Sequence, residues 1–249
     1  MAKTTLLLTN DDGIYALGLR ALAQVLAQAY QVVVYAPDRE RSGISHAISL
    51  DQAFRRSRVE LGDYPAYVVN GTPADCVALG LGIEEEVTAV VSGINRGLNV
   101  GRDITYSGTV GGAMEAALYS FPALAVSTVW DNPNYQEVAE ITSKVVAEML
   151  KRGLPSQTFL NLNVPPLAKG IKLATMSTKA TLGAVYTRND PTGREYHWVQ
   201  GKWMEVQIRA GGDPSDTDFS VLREGYAALT PMTLDMTDRE LLKQWQGAF

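Results

Sequence analysis

Thr5-Leu6-Leu7-Leu8-Thr9-Asn10-Asp11-Asp12-Gly13 is the stretch on which the fold turns. An apolar run of strand length ends abruptly in turn-forming and acidic residues. Leu17, Ala21, Leu22, Val25, Leu26 and Ala29 then recur at helical spacing, and Val32-Val33-Val34-Tyr35 follows as a second apolar run, stopped by Pro37. Both runs are continuously apolar rather than alternating, as strands buried on both faces are. Two such strands around one helix make a βαβ unit with a parallel sheet covered on both sides.

The pattern repeats down the chain. Tyr67-Val68-Val69 reads as a strand. Thr72-Pro73-Ala74-Asp75 supplies an N-cap residue, a proline at the first helical position and an acid at the third, opening a helix over residues 76–81. Residues 87–92, with Val90-Val91, make another buried strand, and residues 109–119 a helix ended by Phe121-Pro122. Residues 124–129 read as a strand. Residues 134–152 form a long amphipathic helix, with Val138, Ile141, Val145, Val146 and Met149 on one face and Gly153 after it. Residues 159–164 are a further strand, ended by Pro165-Pro166. Beyond about position 170 the segments shorten and alternate, at residues 185–187, 196–199 and 203–208, which reads as antiparallel hairpins on a parallel core. Residues 226–230 suggest a late strand and residues 238–245 a terminal helix. Trp198, Trp203 and Trp245 fall in this last third, so it is either an oligomer interface or a second small core; the sequence leaves both open.

Composition narrows the chemistry. The chain has 249 residues, 22 Lys+Arg against 27 Asp+Glu for a net charge of −5, one Cys and two His. A lone Cys makes no internal disulfide, and one Cys with two His builds no Cys/His zinc site without other residue types. The acidic balance argues against binding nucleic-acid polymers or anionic membranes. Any metal chemistry must therefore use oxygen ligands from Asp, Glu, Asn, Ser and water. With 46% hydrophobic and 20% charged residues the composition is that of a globular protein. The N-terminal apolar run is too short for a signal segment and no stretch reaches membrane-spanning length, so a cytoplasmic location is expected.

Four segments carry candidate chemistry, and each has a plainer reading. Asn10-Asp11-Asp12-Gly13 follows the first strand, where open α/β sheets bind ligands; adjacent carboxylates repel unless a cation or proton is shared, although the same residues also make a turn and helix cap. Asp38-Arg39-Glu40-Arg41-Ser42-Gly43 follows the second strand and offers a hydroxyl and two guanidinium groups, or is simply a solvated loop. Ser92-Gly93-Ile94-Asn95-Arg96-Gly97-Leu98-Asn99-Val100-Gly101 reads as a Gly/Asn-rich loop whose backbone can approach a ligand closely. Tyr106-Ser107-Gly108-Thr109-Val110 opens a helix, where free N–H groups suit a phosphate and Ser107 or Thr109 would serve as cap. All four follow strands of one sheet and would meet at its carboxyl edge. Two carboxylates, a Ser, two Asn and a phosphate cradle describe a site for a hard divalent metal and a phosphate ester.

These segments, with Gly71-Thr72-Pro73-Ala74-Asp75-Cys76-Val77, Thr217-Asp218-Phe219 and Gly225-Tyr226, resemble the SurE family of stationary-phase survival proteins with 5′/3′-nucleotidase activity, essentially end to end. The resemblance implies a single domain over residues 1–249: a Rossmann-like three-layer α/β/α core with a mostly parallel sheet over 1–168, and C-terminal β-hairpin extensions with a terminal helix over 169–249 that serve oligomerisation. It implies one Mg²⁺ or Mn²⁺ ion per subunit on Asp11, Asp12, Ser42 and Asn95, with Asp11 and Asp12 also catalytic, and a phosphate surrounded by Asn99, Ser107, Gly108 and Thr109. The implied reaction is hydrolysis of nucleoside monophosphates by water, with cleavage of short polyphosphate in some relatives, in a homodimer or homotetramer. Leu17 departs from the family, since many relatives carry Pro there. His46 lies close to the Ser42 loop and could contact substrate or protonate the leaving oxygen, and His197 is expected to be structural or interfacial.

Other readings remain. A receiver-type signalling module also places an acid pair after its first strand, but is about half as long and needs an Asp after the third, where this chain has Gly93-Ile94-Asn95. A dinucleotide-dependent oxidoreductase lacks its glycine fingerprint here. A non-catalytic nucleotide-binding subunit differs from an enzyme only in turnover.

Overall fold

The computed structural model describes residues 4–132, 134–178, 180–204 and 215–248. In chain order its elements are β1 (Thr5–Thr9), α1 (Leu17–Leu26), β2 (Gln31–Pro37), β3 (Arg56–Arg58), β4 (Ala66–Val69), α2 (Pro73–Ile83), β5 (Val87–Arg96), a 3₁₀ turn at Gly101–Tyr106, and α3 (Gly108–Leu118). Then come β6 (Ala123–Thr128), α4 (Tyr135–Arg152), β7 (Thr158–Val164), β8 (Ile171–Leu173), β9 (Ala180–Asn189), β10 (Glu195–Met204), α5 (Asp218–Arg223), β11 (Ala227–Thr233) and α6 (Arg239–Trp245).

One sheet runs in the order β3-β4-β2-β1-β5-β6-β7-β11-β8, and β9 and β10 pair separately. The strands from β4 through β7 are parallel to one another. Successive side chains of a strand point to opposite faces, and β1 shows what that does here. Leu6 and Leu8 pack with Leu19, Leu22 and Leu26 of α1 and Val138, Val146 and Met149 of α4. Leu7 packs with Cys76 and Val77 of α2 and Val110 and Ala113 of α3. The continuous apolar run is thus the middle of a three-layer α/β/α sandwich, as expected from its lack of alternation.

Local chemistry sets the helix ends. Thr72 accepts from the Asp75 N–H (3.1 Å) while Asp75 accepts from the Thr72 N–H (2.8 Å), a reciprocal cap with Pro73 at the first position. Asn134 caps α4 through the Glu137 N–H (3.1 Å), and Gly153 ends it at φ +69°.

Two expectations need correction. Residues 93–96, read as loop, extend β5, because pairing with β6 resumes after a register shift at Asn95–Ser127 and Arg96–Thr128. The Gly93–Ile94 peptide within this extension is cis. The three short C-terminal segments are in fact two ten-residue strands, β9 and β10, in register from Glu195–Asn189 to Met204–Ala180; residues 205–208 lie outside the described residues. The late strand is present as β11, which runs antiparallel to β7 inside the main sheet and parallel to β8. The three-residue β3 and β8 and the six-residue α5 are too short to show a period and were not anticipated. His197 sits on the exposed hairpin beside Thr187 (2.9 Å) and Glu195 (3.2 Å).

Leu8 is fully buried, whereas Leu17 is 69% exposed and opens α1. Leu8→Ala is expected to lower the unfolding free energy by about 2–5 kcal/mol in urea titration. Leu17→Pro, at a first helical position that tolerates proline, is expected to change it by less than about 1 kcal/mol. Equal losses would contradict this assignment of core and cap.

Candidate metal and phosphate site

The chain moves outward from β1 to β2 and β4, then returns to place β5 on the other side of β1. The carboxyl ends of β1 and β5 therefore flank a crevice at the point where strand order reverses, the usual ligand position in open α/β sheets. Asn10, Asp11 and Asp12 leave β1 there, and Asn95 and Arg96 end β5 opposite them. The Asn10 Nδ2 donates to the Gly13 carbonyl (2.9 Å), so Asn10 shapes the turn, while its buried Oδ1 has no partner among the described residues.

Asp11 is 3% exposed. The Thr109 hydroxyl donates to its Oδ1, and the Arg41 N–H donates to its main-chain carbonyl (2.7 Å). A Cβ on Gly108 would lie 2.9 Å from the Asp11 Cβ, so only glycine lets α3 approach this closely. Burial pushes the Asp11 carboxyl up to about 6; the Thr109 hydrogen bond opposes this and the neighbouring Asp12 charge adds to it. Asp12 accepts from the Arg96 N–H through Oδ2 (3.2 Å). Burial raises its pKa too, Glu40 adds to the rise, and Arg96 counters it. Two adjacent carboxylates that resist ionisation together are a place for a cation.

The remaining expected ligands lie around this pair. Ser42 is on the loop tied to Asp11 through Arg41, but its hydroxyl donates to Glu40 Oε1 (2.8 Å). Asn95 uses its Nδ2 on the Gly97 carbonyl (2.8 Å), so its Oδ1 is the atom available as an oxygen ligand. Among the described residues no three His, Cys, Asp or Glu side chains cluster as a metal site, so a cation at this edge would have two carboxylates and neutral oxygens. The donor set fits a hard divalent ion.

The expected phosphate side lies at the start of α3. Ser107 caps it by accepting the Val110 N–H (3.1 Å), and Gly108 and Thr109 begin its first turn against Asp11. Thr109 faces Asp11 with its side chain fully buried. Asn99 is sewn down: its Nδ2 donates to Ser127 Oγ, its N–H to Asn163 Oδ1, and its carbonyl accepts from Asn161 and Asn163 Nδ2, all at 2.8 Å.

Three supporting groups have no role in the sequence reading. Asn161 and Asn163 alternate on one face of apolar β7, and that spacing was the available signal. Asp218, fully buried, accepts the Gly101 N–H (2.8 Å) and the Ser177 N–H (3.0 Å), joining the C-terminal segment to the Asn99 loop. Glu115 of α3 meets His46 Nε2 at 2.7 Å, so His46 is anchored to a buried carboxylate.

Because the Asp11 pKa is higher folded than the ordinary 3.8, the native state holds a proton that the unfolded chain has already released between about pH 4 and 6. Its contribution thus falls as pH rises through that window, by roughly 2–3 kcal/mol in metal-free protein. Urea titrations in EDTA should show this decline in wild type and its loss in Asp11→Asn. Parallel pH profiles would contradict it.

Comparisons with known proteins place the chain among its relatives. The family model described as Survival protein SurE matches residues 6–183. A protein named 5′-nucleotidase SurE from Thermoanaerobacter sp. (strain X514) is 41% identical over 245 residues, covering 95% of each chain. One of the same name from Caldanaerobacter subterraneus subsp. tengcongensis is 42% identical over 252 residues, covering 98% of this chain and 97% of its own. The crystal structure of the SurE protein from Aquifex aeolicus superposes with a TM-score of 0.81 at 35% identity, covering 96% of this chain and 97% of that one. With its crevice at the β1–β5 reversal and its similarity running nearly end to end, the chain belongs to the SurE family.

Proposed function

We propose that this chain is a 5′-nucleotidase, a phosphomonoesterase that hydrolyses nucleoside monophosphates to nucleoside and phosphate. The observation that carries the reading is the Asp11–Asp12 pair at the β1–β5 crevice, with Asp11 buried against the first turn of α3. The relatives named 5′-nucleotidase support it. Asp11, Asp12, Ser42 and Asn95 would hold one Mg²⁺ or Mn²⁺ ion, and Asn99, Ser107, Gly108 and Thr109 would surround the phosphate. When bound, such an ion supplies Lewis acidity toward the phosphoryl oxygens and the attacking water.

The chain's own residues do the rest. Thr109 fixes the Asp11 carboxylate, the Arg96 N–H fixes Asp12, and both acids can orient water toward phosphorus. The Ser42 hydroxyl donates its proton to Glu40, which leaves its oxygen lone pairs for a cation. The opening of α3 presents N–H groups and a positive dipole end to the charge on the phosphoryl oxygens. Of the domain reading, a core over 1–168 with an oligomerising remainder, the oligomerising part is kept for the β9–β10 hairpin, since β8 and β11 join the main sheet; action in the cytoplasm on a small soluble nucleotide goes with this proposal. No described helix is long and apolar enough to cross a membrane. The exposed hairpin residues Val185 (67%), Trp198 (64%) and Val199 (74%) suit a homodimer or homotetramer interface.

Mn²⁺-dependent phosphate release from AMP is expected to fall on the order of 10²-fold or more in Asp11→Ala and in Asn95→Ala. Near-wild-type, metal-dependent rates in both would refute the site. Trp198→Glu is expected to lower the mass seen by light scattering; an unchanged mass would place the interface elsewhere.

A further inference from the structure

Beside Asp12 lies a cleft of about 580 Å³, lined among others by Leu17, Arg96, Trp130, Asn132 and Tyr135. Its size is that of a small-molecule pocket. Trp130 leaves β6 at the same sheet edge and is 58% exposed. Two contacts hold it in place: the Arg96 guanidinium lies 4.4 Å from the centre of its ring, and the Arg96 Nε–H donates to its carbonyl (3.1 Å). The same Arg96 donates its main-chain N–H to Asp12. The ring is therefore braced by the residue that braces the candidate metal ligand.

Trp130 and Asn95 are near neighbours across Gly97. One point, where a Cβ on Gly97 would sit, lies 3.9 Å from a Trp130 ring carbon and 3.8 Å from Asn95 Nδ2. The ring and the candidate ligand Asn95 therefore lie within reach of one ligand of nucleotide size. The charge of the cleft says which part of a ligand belongs there. Asp12, Glu40 and Asp131 face it against Arg96 alone, and Arg96 is already engaged with Trp130 and Asp12. A second phosphate would be repelled, whereas a neutral planar heterocycle would gain stacking area.

We propose that Trp130 is a nucleobase platform, which makes this site prefer nucleoside monophosphates over sugar phosphates that lack a base. The proposal rests on the nucleotidase reading and names the residue that sets its specificity. Base–aromatic stacking contributes about 1–3 kcal/mol per base, equivalent to roughly 5- to 150-fold in affinity.

The test compares kcat/KM for AMP and for ribose 5-phosphate, with Mn²⁺, in wild type, Trp130→Ala and Trp130→Phe. The expected result is that Trp130→Ala loses about tenfold more on AMP than on ribose 5-phosphate, through KM rather than kcat, and that Trp130→Phe recovers most of the difference. Equal losses on both substrates would overturn the platform, since Trp130 would then act only through Arg96 on Asp12. An unchanged AMP preference would overturn it as well. If wild type hydrolyses neither compound, the nucleotidase reading fails by itself. AMP titration with Mn²⁺ then decides the platform: fluorescence quenching present in wild type and absent in Trp130→Phe supports it, and no quenching overturns it.

Discussion

The carboxylate of Asp11, buried at the end of β1 and held by the Thr109 hydroxyl, is the contact around which this crevice is organised. Its burial is a consequence of topology. The strand that delivers it lies in the middle of a sheet covered on both faces, so the first residues beyond its carboxyl end are also largely enclosed. An enclosed carboxylate beside a second one is electrostatically costly, and the surroundings offset only part of that cost. One hydroxyl and one main-chain N–H reach the pair from α3 and β5. The glycine before Thr109 permits the helix to come close enough to do so.

The same arrangement resolves the conflict between an acidic chain and an anionic substrate. A net charge of −5 repels a phosphate ester in general, so attraction has to be local. A cation held by Asp11 and Asp12, with the opening of α3 beside it, would reverse the sign where the phosphate would lie. Arg96 serves both ends of the site, its main chain on Asp12 and its guanidinium on Trp130. Cys76, by contrast, lies on the buried face of α2, and burial pushes its thiol far above the usual range, so the only cysteine belongs to the core.

Much of this was legible in the residues, for physical reasons that differ from place to place. The βαβ start was readable because β1 and β2 are buried on both faces and so lack alternation. The helix at Pro73 was readable because capping is local chemistry between Thr72 and Asp75. The strand character of residues 93–96 was not, because glycine and asparagine carry no strand signal and the pairing that defines the segment comes from β6. The place of β11 between β7 and β8 was hidden for the same reason: strand order is a long-range property. Within the site, the acid pair stood out by adjacency, whereas Asn161, Asn163 and Asp218 act through main-chain contacts to residues far away in sequence. Thr109 was visible as a helix opener, but its hold on Asp11 is a tertiary contact that no spacing reveals.

The most direct measurement is an anomalous-scattering map from crystals grown with Mn²⁺. The account predicts one strong peak per chain at the carboxylates of Asp11 and Asp12, with the Asn95 side-chain oxygen and the Ser42 hydroxyl oxygen among its ligands. A peak elsewhere, or none at this crevice with the two carboxylates left facing each other, would contradict it.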